Sequence, residues 1–126
     1  MKVLLDENLD HALRTLLGRH EVVTAAYMGW AGLNNGDLLK AAEDNGIEVL
    51  LTGDQTLNQE QNLAGRRLAV VALSAIQLPI IRNNLRAIVA AIDNAVPGSF
   101  QTVECGTFSR RSRPASKPGA PFSRRI

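Results

Sequence analysis

The sequence predicts an α/β fold in which helices flank a central, mostly parallel sheet of four to five strands. Two observations carry that expectation. Short apolar runs alternate with amphipathic helical stretches along the chain, the signature of strand–helix–strand crossovers. The run Val49-Leu50-Leu51-Thr52 and the run Leu68 to Leu73 are apolar almost throughout, as strands covered on both faces are. A length of 126 residues fits one domain.

The elements follow in order. Lys2-Val3-Leu4-Leu5 reads as the first strand. Asn8 is placed to cap a helix whose apolar positions are Leu9, Leu13, Leu16 and Leu17, with Gly18 as its stop. Glu21 to Thr24 reads as the second strand. A loop with Gly29, Trp30 and Gly32 leads to a helix from Asn35 to Asn45 that buries Leu38, Leu39, Ala41 and Ala42. Trp30 is expected to close an edge of the core. The third and fourth strands are the two apolar runs, separated by a polar stretch with a short helix over 55–64. Leu78, Ile81, Leu85, Ile88, Val89, Ile92 and Val96 recur at three- and four-residue steps and predict one long helix. Pro79 suits its first turn and Pro97-Gly98 stops it. Phe100 to Glu104 is expected to form an edge strand.

Residues 1–105 are expected to form the domain and residues 106–126 a disordered basic tail. The tail holds Arg110, Arg111, Arg113, Lys117, Arg124 and Arg125 and no acid. Removing those six charges from the total of +2 leaves the body at −4. The high isoelectric point therefore belongs to the tail and does not argue for a basic binding face on the domain. One cysteine, Cys105, excludes an internal disulfide. No apolar run approaches the ~20 residues of a membrane span, so a cytoplasmic location is expected. Gly-rich phosphate loops, Gly-x-Ser-x-Gly elbows and paired-cysteine zinc signatures do not occur.

In open parallel sheets, ligands bind beyond the carboxyl ends of the strands, where the strand order reverses. The first strand ends in Asp6-Glu7-Asn8 and the third in Thr52-Gly53-Asp54. Neighbouring strands lie about 4.8 Å apart, so Asp6 and Asp54 are expected to face one another. Asp37, in the connection after the second strand, is the third candidate. Such a cluster repels itself unless an ion or a raised pKa relieves it. Mg²⁺ prefers a few carboxylates and keeps several waters. Two of the aspartates also have a purely structural use: Asp54 as a cap for the helix after it, and Asp37 as a helix-dipole partner. His11 and His20 are expected at the surface, and Arg66-Arg67 in solvent.

Leu4-Leu5-Asp6-Glu7-Asn8-Leu9, Gly36-Asp37-Leu38-Leu39 and Val49-Leu50-Leu51-Thr52-Gly53-Asp54 together resemble a PIN-like family related to the toxin nucleases of toxin–antitoxin pairs. The resemblance spans about residues 1–95 and takes in Gly29 to Gly32 and Gln61 to Arg67. It implies a three-layer PIN-like sandwich, Mg²⁺ or Mn²⁺, and hydrolysis of RNA phosphodiesters. It also implies a small antitoxin partner; a homodimer is a separate expectation. Asp6, Asp37 and Asp54 match the acidic positions of the motif and become the expected metal ligands and catalytic residues. Asn8 and Thr52 are expected to orient substrate or water. The acid that commonly follows the last aspartate is replaced by Thr56, and neither Glu7 nor Glu60 is a proper match for it. That departure favours a second reading, a catalytically inactive PIN-like module that only docks a partner. A phospho-receiver domain is a third, weakened by the lack of a lysine after the fifth strand.

Overall fold

Five parallel strands make one sheet in the order β2-β1-β3-β4-β5 in the computed structural model, which describes residues 1–106. The strands are β1 (Lys2–Leu5), β2 (Glu21–Thr24), β3 (Val49–Thr52), β4 (Ala69–Leu73) and β5 (Phe100–Val103). Every expected strand is present, and every pairing is parallel. Apart from Gly106, the expected tail lies outside the described residues.

Alternation along the strands builds two cores, one on each face. Val3, Leu5, Val49, Leu51, Val71 and Leu73 share one cluster with Leu13, Leu17, Ile81, Ile88 and Ile92. Leu4, Leu50 and Val70 share the other with Leu38, Leu39, Ala42 and Leu57. Helical side chains thus cover both faces, which explains why β3 and β4 carry no polar residue except Thr52. Each fully buried Leu or Ile contributes roughly 1.5–3 kcal/mol over its exposed state. Trp30 packs against the second cluster, half-buried.

The helices are α1 (Ala25–Met28), α2 (Asn35–Asp44), α3 (Leu57–Glu60), α4 (Leu78–Arg82) and α5 (Leu85–Asp93), with a short 3₁₀ helix over His11–Thr15. Two depart from expectation. The first helix is this 3₁₀ turn, capped by Asp10 through Ala12 N–H at 2.8 Å; Asn8 does not cap it. The long carboxyl-terminal helix breaks into α4 and α5 at Asn83 and Asn84. Asn84 explains the break: its side-chain amide donates to Ile80 O at 2.8 Å and to Cys105 O at 3.0 Å. One side chain thereby caps a carbonyl of α4 and ties down the segment that follows β5.

His20 is not a free surface histidine. Its ring bridges the Met1 amino group, 3.0 Å from Nδ1, and Asp93, 2.7 Å from Nε2, at 9 % side-chain exposure. Arg66 and Arg67 are not simply solvated either. The Glu43 carboxylate accepts from the Arg66 guanidinium and from Arg67 N–H, joining α2 to the turn before β4. The Arg67 N–H is the main cause holding the Glu43 carboxyl below its usual range, aided by the Arg66 charge and opposed by desolvation. No helix among the described residues is long and apolar enough to cross a membrane.

Candidate functional site

Chain order reverses at β1, which has β2 on one side and β3 on the other. The carboxyl ends of β1 and β3 are therefore the place to look for a ligand site. Asp6 follows β1 and is buried, 8 % exposed. Its backbone N–H donates to Leu51 O at 2.9 Å, which fixes it beside β3. Its Oδ1 accepts from Glu7 N–H at 2.8 Å and its Oδ2 from the Thr52 hydroxyl at 2.7 Å.

Thr52 is the centre of the rim. It is fully buried, and its hydroxyl donates to Asp6 while accepting from Asp54 N–H at 3.0 Å. A single oxygen thus couples the two loops that leave β1 and β3. Asn8 adds a second tie, because its Oδ1 accepts from Gly53 N–H at 3.1 Å. Asn8 and Thr52 brace the rim in this arrangement; their hydrogen bonds go to the protein itself. Gly53 sits so close to Ile76 that a Cβ there would overlap the Ile76 side chain.

Asp54 turns toward the helix after it. Its Oδ1 accepts from both the backbone N–H and the hydroxyl of Thr56, each at 2.9 Å. Its Oδ2 accepts from Asn35 Nδ2 at 3.3 Å. The Thr56 N–H is the leading cause holding the Asp54 carboxyl below its ordinary value; desolvation opposes it, and the Thr56 hydroxyl and the Asn35 amide assist. Thr56, which stands where an acid was expected, therefore serves as the partner of Asp54.

Asp37 goes its own way. Its N–H donates to Asn34 Oδ1 at 2.8 Å, and its Oδ2 accepts from Asn34 Nδ2 at 3.0 Å. This reciprocal pair closes the first turn of α2, where a carboxylate also meets the positive end of the helix dipole. Its hydrogen bonds run to neither Asp6 nor Asp54. Glu60 is drawn toward Asp54 instead, through Asn35 Nδ2, which lies 3.1 Å from Glu60 Oε1. Glu7 Oε1 accepts from Gly32 N–H at 2.6 Å and pins the loop after α1.

The arrangement brings Asp6, Thr52, Asp54 and Asn8 together and leaves Asp37 apart. Among the described residues, no three Asp, Glu, His or Cys side chains gather closely enough to hold a metal ion. A divalent ion bound by protein alone needs several converging oxygens. Of the three aspartates expected to share Mg²⁺ or Mn²⁺, Asp37 accepts from Asn34, and Asp54 accepts from Thr56 and Asn35. Sequence reasoning missed Asn35, whose amide links Asp54 to Glu60; a second Asn beside a helix cap was the only signal of it. Comparison with protein-family models, with curated proteins and with solved structures returns no match to this chain.

Proposed function

We propose that this chain is a PIN-like binding module, whose acidic rim at the ends of β1 and β3 docks a small basic partner protein. The observation that carries this reading is the private engagement of Asp37 by Asn34 and of Asp54 by Thr56. The Thr56 N–H holds the Asp54 carboxyl below its ordinary value. Glu7, beside Asp6, and Glu60, joined to Asp54 through Asn35, are exposed, and none of these four acids is in a salt bridge among the described residues. The body, at −4, presents uncompensated negative charge that a lysine or bidentate arginine of a partner would satisfy. An antitoxin-type protein with a basic segment fits that chemistry.

Metal-dependent RNA hydrolysis is the second reading, and one observation favours it. Asp6 and Asp54 are bonded to the two sides of the same Thr52 hydroxyl, at the switch point of the sheet. Mg²⁺ is often held by one or two carboxylates together with substrate phosphates.

One experiment separates the two. Wild type, Asp6→Asn and Asp54→Asn are incubated with a structured RNA and Mn²⁺. The binding reading expects no cleavage above background by any of them, together with weak Mn²⁺ binding by calorimetry. Mn²⁺-dependent cleavage by the wild type that both substitutions abolish would overturn it in favour of the nuclease.

A further inference from the structure

We infer that the free edge of β2 is a docking groove for an extended, acidic peptide segment of a partner protein, which adds to the sheet as a sixth strand. β2 pairs with β1 alone and so forms one edge of the sheet. The register fixes which of its backbone groups point outward. Glu21 N–H donates to Met1 O at 3.0 Å, so Glu21 faces β1. In a parallel ladder the facing alternates, and Val22 therefore turns its N–H and C=O away from the sheet. Those two groups have no partner strand among the described residues.

Val22 also lines a groove of about 470 Å³. The 3₁₀ helix forms one wall with His11 and Arg14, and α1 forms the other with Ala26 and Tyr27. The strand residues Val22 and Val23 line it between them. Tyr27 is 83 % exposed, a large aromatic surface standing free at the mouth. An unpaired strand edge beside a groove of mixed apolar and basic lining is the geometry that binds extended polypeptide by backbone pairing, with alternate side chains seated in the groove.

Charge selects the occupant. Arg14 is exposed, is the one formally charged residue lining the groove, and is in no salt bridge among the described residues. An acidic side chain on the incoming strand complements it. The chain's own residues 107–126 are basic and would set arginines against Arg14. This groove is separate from the acidic rim, and the inference stands whether the rim docks a partner or cleaves RNA.

The test uses the full chain and a phage-displayed library of random 12-residue peptides. Selected peptides should alternate apolar residues and carry Asp or Glu. Binding should slow amide exchange at Val22 in the ¹⁵N-labelled protein. Val22→Pro removes the outward N–H at an edge position where proline is tolerated, and should weaken binding by about tenfold, the worth of one backbone hydrogen bond. Arg14→Glu leaves the strand intact and should weaken acidic peptides by about fivefold while favouring lysine-bearing ones. Failure to enrich any peptide, or binding that neither substitution changes, would overturn the inference. So would a homodimer by sedimentation velocity that Val22→Pro dissociates, which would assign the edge to a second copy. Single-stranded RNA that perturbs Val22 and Tyr27 in place of peptides would overturn it as well.

Discussion

Replacing Thr52 with valine tests the rim directly. The side chains are near-isosteric, so the buried volume is kept and the hydroxyl alone is removed. Two bonds go with it: the donation to Asp6 Oδ2 at 2.7 Å and the acceptance from Asp54 N–H at 3.0 Å. The first ends on a carboxylate that is 8 % exposed, where a hydrogen bond to a charged group is worth about 1.5–3 kcal/mol. The second is an ordinary backbone bond of about 0.5–1.5 kcal/mol, and the added methyl returns about 0.8 kcal/mol. The net expected loss is about 1–4 kcal/mol, or a fall in Tm of roughly 5–15 °C for a domain of this size. Urea unfolding at neutral pH measures it, with an unchanged m-value showing that the unfolded state is not at fault. Thr52→Ser serves as the control, since it keeps the hydroxyl and should recover most of the loss. A valine variant within about 0.5 kcal/mol of wild type, the range of ordinary surface changes, would refute the claim that Thr52 holds the two loops together.

Three further outcomes are expected. The Asp54 carboxyl is held below its ordinary 3.8, so its contribution is complete above that value and is lost as pH falls through the folded-state pKa; Asp54→Asn should therefore flatten the acid limb of a stability–pH curve below about pH 4 and change its shape little at pH 7. Glu43→Gln weakens both the Arg66 and the Arg67 attachment and should cost about 1 kcal/mol by urea unfolding, with the difference shrinking as pH falls below the ordinary glutamate value of 4.5. Asn84→Ala removes the amide that joins Ile80 O to Cys105 O; it should cost about 1–2 kcal/mol and raise the accessibility of the Cys105 thiol to a maleimide probe.

The sheet was legible because its signal is redundant. β1, β3 and β4 are apolar on both faces, and a helix-length polar or amphipathic stretch separates each pair. Asp6 and Asp54 were legible for the same reason: a residue that ends a central parallel strand has little choice of edge. Asp37 was not, since it sits in the first turn of α2, where Asn34 three residues before it both caps its N–H and donates to its carboxylate. The break after Arg82 was hidden because the apolar period runs on unbroken through Ile81, Leu85 and Ile88; what stops the helix is an amide reaching the chain end of the sheet, a contact no local pattern encodes. The groove beside β2 was equally invisible, for it depends on which strand is left at the margin.

The placement of β1 between β2 and β3 has a consequence for biosynthesis. Asp6 waits for Thr52, which is 46 residues further along the chain. At a ribosomal rate of about 5–20 residues per second, Val3, Leu4 and Leu5 stay half-partnered for about 2–9 s after they emerge. Through that interval the nascent polypeptide shows the cell a bare, greasy strand margin.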